Sequence, residues 1–213
     1  MGPQLTVLLT RPEGRNEKLA RRLAPFGRFK VEIEPLVAIE PLSDDPVPVE
    51  GYDWIVITSA TGAHELRRRM RGHPRRVAAI GRATAEAFGR ADLVPRVSTQ
   101  EGLLAEMPRP FGRVLFAGAE HARRLLIDEL EAEFVPLYRT RLLRPTRPLH
   151  VDLVVLASAS AAKAYAALGL RAPAVSIGPE TTRAAREAGI RVLEEASAPS
   201  VDALSAAVLR AAR

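Results

Sequence analysis

The chain matches itself out of order, and that repeat limits its possible folds more than any other feature. DWIVITSATGAHEL at 53–66 parallels DLVVLASASAAKAY at 152–165. VAAIGRATAEAF at 77–88 parallels AVSIGPETTRAA at 174–185. Ser158 lies 99 positions after Ser59, and Thr181 lies 97 after Thr84. A weaker match joins LTVLLTRPEGRNEKLARRL at 5–23 to GRVLFAGAEHARRLLIDEL at 112–130. One copy runs 53, 77, 112 and the other runs 5, then 152, 174. The two are related by circular permutation, with the first copy inserted after the opening strand and helix of the second.

Each matched block is a short apolar run that leads into Gly, Ser or Thr and then into a helical pattern. The runs 5–10, 53–58, 77–80, 113–117, 152–157 and 174–177 have the continuous apolar character of strands buried on both faces. Strands alternating with helices predict parallel sheets with right-handed crossovers. The expected class is α/β: two similar parallel-sheet domains, one inserted into the other, joined by a two-stranded linker. Residues 1–36 with 142–213 are expected to form one domain, and 39–138 the inserted one. The crossings fall near 31–42 (VEIEPLVAIEPL) and 133–145 (EFVPLYRTRLLRP), where apolar and polar residues alternate between prolines. Two extended strands side by side there would tether a cleft that opens and closes.

With 213 residues, 47% hydrophobic and 26% charged, the chain has material for two small cores. It has no cysteine, which excludes disulfides, a thiolate nucleophile and sulfur-based zinc sites. His64, His73, His121 and His150 lack ligand spacing, so no metal is assigned. No HExxH, GxSxG, GxGxxG or Walker loop occurs. No apolar run approaches the roughly 20 residues of a membrane span, and the N-terminus does not read as a signal peptide. A cytoplasmic chain with no membrane partner is expected. The net charge is +6, and with lysine only at 18, 30 and 163, 28 of the 31 basic residues are arginine. Such a surface attracts polyanions. RRRMRGHPRR at 67–76 is the densest basic run. No aromatic residue interleaves it, so it reads as a solvated helix end, and no nucleic-acid partner is expected.

Two motif pairs sit at strand C-termini, where open α/β sheets bind ligands. The first is Thr58-Ser59-Ala60-Thr61-Gly62 with Ser158-Ala159-Ser160-Ala161. Ser and Thr there can cap the next helix, and free first-turn N–H groups can bind an anion. The second is Gly81-Arg82-Ala83-Thr84 with Gly178-Pro179-Glu180-Thr181. Glycine admits close approach of a ligand or loop, and proline suits the first helical turn. Arg11, Arg82 and Arg183 follow strand ends or lie in adjoining turns, and are weaker candidates. Capping and tight turning alone account for either pair without a ligand.

Taken in order, LLTRPEG, PLVAIEPL, TSATGA, IGRATAEAF, PLYRT, a second strand ending in SAS, IGPETTRAA and a late APSVDAL resemble the uroporphyrinogen-III synthase family over nearly the whole chain. The resemblance implies two α/β domains on a two-stranded linker. It also implies a lyase of haem biosynthesis that cyclises hydroxymethylbilane, a linear tetrapyrrole with eight carboxylates, inverting the last pyrrole ring. Neither metal nor organic cofactor is implied. The linker tyrosine of the family matches Tyr138, implying a role in the departure of the substrate hydroxyl. Thr84 and Thr181 match the threonines after the two IG motifs, and Thr58, Ser59 and Ser158 match the strand-end hydroxyls. Substrate contacts are thus expected from Thr58, Ser59, Thr61, Gly62, Gly81, Thr84, Ser158, Ser160, Gly178 and Thr181. Thr61 stands where the family often has Asn or a basic residue, and the strand at 113–118 ends FAGAE where the family often has arginine. The other open reading is a non-catalytic, hinged binder of a small anion, or a regulatory relative. A monomer is expected.

Overall fold

The computed structural model describes residues 4–213. In chain order the elements are β1 (Leu5–Leu9), α1 (Glu17–Leu23), β2 (Phe29–Ile33), β3 (Val37–Pro41), β4 (Val47–Pro48), β5 (Trp54–Ile57), α2 (Ala60–Arg69), β6 (Met70–Arg71), β7 (Val77–Ala79) and α3 (Arg82–Phe88). They continue with α4 (Gln100–Glu106), β8 (Val114–Ala119), α5 (Leu125–Glu129), β9 (Glu133–Leu142), β10 (Leu153–Leu156), α6 (Ala159–Ala166), β11 (Ala174–Ser176), α7 (Pro179–Glu187), β12 (Val192–Glu195) and α8 (Val201–Ala211). The chain divides into two compact units: residues up to Ile39 together with Thr140–Arg213, and Glu40–Arg139.

Each unit is built on a five-stranded sheet. The first has the order β12-β11-β10-β1-β2, with every neighbouring pair parallel. The second has the order β3-β9-β8-β5-β7, and its β9-β8-β5-β7 part is parallel. A lone parallel bridge from Ala78 to Leu93 extends the second sheet beyond β7. The two orders correspond place for place. β11 matches β7, β10 matches β5, β1 matches β8 and β2 matches β9, with Leu93 where β12 stands. Three of these pairs, β11 with β7, β10 with β5 and β1 with β8, are the ones the sequence repeats join, so the repeat is one of sheet position and not only of local motif.

Burial on both faces explains the apolar runs. Leu8, Val154 and Leu156 share a core with Ala161, Ala162, Tyr165 and Ala185 of α6 and α7. Their neighbours Val7, Leu9, Leu153 and Val155 face Leu19, Leu204 and Val208 of α1 and α8. Successive side chains point to opposite faces of a strand, so each face needs its own layer of helices. In the second unit Trp54, Val56 and Phe116 pack against Leu103 of α4 and Leu126 of α5. The alanines of α6 let that helix lie close to the sheet.

The segments at 31–42 and 133–145 join the sheets. Residues 31–33 belong to β2, paired parallel with β1, and β9 pairs parallel with β8 from Glu133 onward. The boundaries between units fall at 39–40 and 139–140, inside β3 and β9. The Leu42 N–H donates to Leu137 O (3.0 Å) and the Leu143 N–H to Leu36 O (2.8 Å), so the two segments run in opposite directions. β12 has no apolar run to announce it. It is an edge strand whose Leu193 and Glu195 are exposed, and charge on an edge discourages pairing with another chain.

The run at 67–76 is more than the solvated helix end its charge suggests. Arg68 binds Glu65 (3.0 Å) and Asp44. Arg75 binds Asp53 (2.7 Å), and the Arg76 guanidinium lies 4.3 Å from the centroid of the Trp54 ring. Arg69 is 5% exposed, and its Nε donates to Asp45 O at 2.8 Å. These arginines fasten α2 and its following loop to the rest of the second unit.

Tyr165 is fully enclosed, and its hydroxyl donates to Ala172 O at 3.3 Å. Burial pushes its pKa up to about 12. An acid whose folded pKa is raised contributes stability below its unfolded value, near 10, and loses it as pH rises toward the folded one. Chemical denaturation between pH 9 and 12 is expected to show stability falling above pH 10, with a shallower fall in Tyr165→Phe.

Candidate active site

In a parallel sheet every helix that follows a strand begins at the same edge, and the predicted residues collect there within each unit. α2 begins at Ser59, whose Oγ accepts from the Gly62 N–H at 2.9 Å. α6 begins at Ser158, whose Oγ accepts from the Ala161 N–H at 3.1 Å. Serine suits this place because its oxygen satisfies a first-turn donor that the helix cannot.

The second motif pair is built differently. α3 and α7 begin at Gly81 and Gly178, and neither helix has a side-chain cap. Both glycines have extended backbone (φ −172° and 169°), so their conformation does not demand glycine. A Cβ on Gly81 would lie 3.0 Å from Ser98 Oγ, so that glycine admits the approach of the next loop. A Cβ on Gly178 would meet nothing within 4 Å, and the N-terminus of α7 faces open space within its unit. Thr84 and Thr181 are 5% and 4% exposed. Among the described residues neither hydroxyl has a hydrogen-bond partner. The neighbouring Thr182, which the sequence did not single out, bonds to Ser176 Oγ at 2.5 Å and to the Glu195 carboxylate. One threonine of the α7 pair thus ties the helix to the sheet, and the other makes no such bond.

Thr58, Thr61 and Ser160 are half-buried at the same edges. Gly62 is buried, and its N–H is already taken by Ser59. A Cβ there would sit 3.1 Å from Ser59 Oγ and 3.5 Å from Ala117 O, so this glycine serves the close packing of α2 on β8. Arg183 is held by Glu180 and Glu187, each at 2.8 Å, and these carboxylates raise its pKa. Arg82 is exposed in the first turn of α3. Arg11 follows β1, in a loop braced by the wholly buried Asn16. That side chain accepts from the Arg11 N–H (3.2 Å) and donates to Arg11 O (2.8 Å). Burial, and then the charge of Arg15, lower the Arg11 pKa. A bound anion would relieve both effects.

Tyr138 is 6% exposed, and its hydroxyl oxygen lies 2.9 Å from Ser59 Oγ. Its aim is set by the strand. Pro136 pairs with Gly118 but Tyr138 pairs with Ala119, so Leu137 is an extra residue in β9. Proline cannot donate to the ladder. A one-residue shift exchanges the two faces of a strand, so the bulge places both Leu137 and Tyr138 among buried residues.

A further repeat became visible only in the structure. Thr99 Oγ1 accepts from the Gly102 N–H (3.0 Å) at the start of α4, and Ser200 Oγ accepts from the Ala203 N–H (3.2 Å) at the start of α8. TQEGL at 99–103 and SVDAL at 200–204 are equivalent caps, 101 positions apart. Among the described residues no three His, Asp or Glu side chains are grouped as a metal site would need. No helix there is long and apolar enough to cross a membrane.

Parallel sheets whose helices begin at serine caps or uncapped glycines, within each unit, define an open-sheet α/β protein. Residues 17–206 match the family described as uroporphyrinogen-III synthase HemD. The chain belongs to the uroporphyrinogen-III synthase family, lyases of haem and other tetrapyrrole biosynthesis. It is 26% identical to the uroporphyrinogen-III synthase of Synechococcus elongatus, over 98% of this chain and 96% of that one. It is 29% identical to a putative uroporphyrinogen-III synthase of Methanocaldococcus jannaschii, over 64% of this chain and 62% of that one. A crystal structure of a mutant uroporphyrinogen III synthase from the extremely thermophilic bacterium Thermus thermophilus shares its fold, with a TM-score of 0.65, 20% identity and 98% of each chain covered.

The two threonines of α7 differ in what they hold. Thr182→Ala leaves a buried Ser176 hydroxyl without its partner and is expected to cost about 1–3 kcal/mol. Thr181→Ala breaks no hydrogen bond and should cost less. Urea denaturation of the two variants measures the difference.

Proposed function

We propose that this chain cyclises hydroxymethylbilane to uroporphyrinogen III, with Tyr138 as the proton donor to the departing hydroxyl. The observation that carries the reading is the buried Tyr138 hydroxyl, held 2.9 Å from the Ser59 that caps α2. The phenol proton passes to the substrate hydroxyl, which leaves as water and creates an electrophilic azafulvene. Attack from the substituted carbon of the last ring gives a spiro intermediate, which fragments and recloses inverted. Loss of a proton from the newly joined pyrrole carbon restores the phenol.

The unaided reaction closes without inversion, so folding the substrate matters more than strong acids. Orientation of this kind supplies about 7–11 kcal/mol in favourable cases. The uncapped starts of α3 and α7 and the hydroxyls of Thr84 and Thr181 would hold the carboxylates, with Thr58, Thr61, Ser158 and Ser160 beside them. Arg11 is the arginine best placed by its environment to join them. We place residues 40–139 as the inserted domain, with β3 and β9 as a double tether, and take the working form as a cytoplasmic monomer without cofactor.

Incubation with freshly made hydroxymethylbilane tests this: the wild-type chain should yield isomer III, where spontaneous closure yields isomer I. Loss of general acid help is worth roughly 10²–10⁴-fold in rate. Tyr138→Phe should fall in that range, and Thr84→Ala and Thr181→Ala should lose less. A Tyr138→Phe variant with full activity removes the acid role.

A further inference from the structure

We infer that Ser176, Thr182 and Glu195 are positioning residues, whose linked side chains hold the start of α7 in place while leaving it open for a carboxylate of the substrate. This rests on the carboxylate-holding role of α7 proposed above. All the groups concerned lie in the first unit.

The direction of each bond follows from the chemistry. A carboxylate only accepts, so the single proton of the Thr182 hydroxyl goes to Glu195. The Ser176 hydroxyl lies 2.5 Å from Thr182 Oγ1 and is left to donate to it. The tie thus runs from the wholly buried Ser176 at the end of β11, through α7, to a charged group on β12. Bonds joined in this way strengthen one another, and the last of them is made to a charge.

The other copy of the repeat shows that the fold does not require this tie. Ser176 corresponds to Ala79 and Thr182 to Ala85. Val175 pairs with Glu194, and the corresponding Ala78 pairs with Leu93, so Glu195 corresponds to Val94. All three polar groups of the first unit are apolar in the second. There the start of α3 is closed: a Cβ on Gly81 would lie 3.0 Å from Ser98 Oγ, and the Thr84 N–H bonds back to Gly81 O at 3.0 Å.

The start of the nine-residue α7 is open. A Cβ on Gly178 would meet nothing within 4 Å. Among the described residues the Thr181 N–H makes no bond back to Gly178, and the Thr181 hydroxyl, in a side chain only 4% exposed, has no partner. The Glu180 carboxylate is turned onto Arg183 at 2.8 Å. An open helix start cannot be braced by packing that would fill it, so it must be braced from the side. Thr182 is one step from Thr181, about 100° round the helix. Fastening Thr182 to the sheet fixes the rotation of α7, and with it the aim of the Thr181 hydroxyl and of the first-turn N–H groups. Donors held in place beforehand need no ordering when a ligand arrives. A carboxylate remote from the reacting carbons is gripped alike in substrate and transition state, so loosening the tie should raise KM and spare kcat.

Amide hydrogen exchange reads the tie without catalysis. The Thr182 N–H bonds to Gly178 O and the Ala85 N–H to Gly81 O, each at 3.0 Å, so residue 85 reports on a helix start that lacks the tie. Glu195→Ala removes the terminal acceptor. Ser176→Ala with Thr182→Ala gives the first unit the alanine pair of the second and orphans no hydroxyl, which keeps the test open if Glu195→Ala folds poorly. In both, exchange at residue 182 should quicken against residue 85, and KM for hydroxymethylbilane should rise, each by about 3–10-fold, the worth of one hydrogen bond, with little change in kcat. Glu195→Gln keeps an acceptor and should restore both. Exchange at residue 182 that stays at the wild-type rate, or a loss that falls on kcat with KM unmoved, overturns the inference. A wild-type chain giving only isomer I overturns the proposed function instead, and the exchange rates still judge the tie.

Discussion

A parallel sheet forces all its strands to point one way, and the placement of the helix starts here follows from that constraint. Each crossover helix must begin at the C-terminal edge of the strand before it. Ser59, Gly81, Ser158 and Gly178 therefore reach equivalent edges although they are scattered over 120 positions of the chain. Continuous apolar strands are needed because both faces are covered, and once they are covered the edges are what remains for polar groups. The division of labour at those edges is chemical. Serine starts satisfy their own helices, and glycine starts leave their N–H groups without a side-chain cap.

The catalytic tyrosine of the proposed mechanism depends on a local fault in this regularity. Without the extra Leu137, Tyr138 would occupy the other face of β9. Pro136 cannot take part in the ladder as a donor, and the slip in register follows directly after it. The strand that carries Tyr138 is thereby irregular at the point where its side chain must be aimed.

The sequence displayed the strands and the serine caps clearly, because hydrophobic runs and hydroxyl turns are local signals. The strands with mixed patterns, β12 and the β4–β6 pair, had no such signal, since exposed edges tolerate charge. The links across the fold were also hidden. Ser59 and Tyr138 are 79 residues apart, and only the β5–β8–β9 register brings them together. The partners of the arginine run, Asp44, Asp45 and Asp53, lie before α2 or near the start of β5, so composition alone made the run look more solvated than it is. Thr182 and Thr181 are adjacent and identical in type. Helical rotation decides which one binds the sheet, and that requires knowing where Ser176 and Glu195 sit.

The pairing of β1 with β10 has a consequence for how the chain assembles during synthesis. Val7 finds Leu153 across 146 positions, so the first sheet cannot close until most of the chain has been made. Residues 40–139 are contiguous and meet no such delay. Closing a loop of about 100 residues costs on the order of 4 kcal/mol in chain entropy. Once the contiguous unit has folded, its two ends are paired, with the Leu42 N–H 3.0 Å from Leu137 O. Most of the long loop is then already closed, and the later unit has only short segments left to bring together. The unit in the middle of the chain acts as a template for its two ends, so damage to the core of the second unit should delay the first as well.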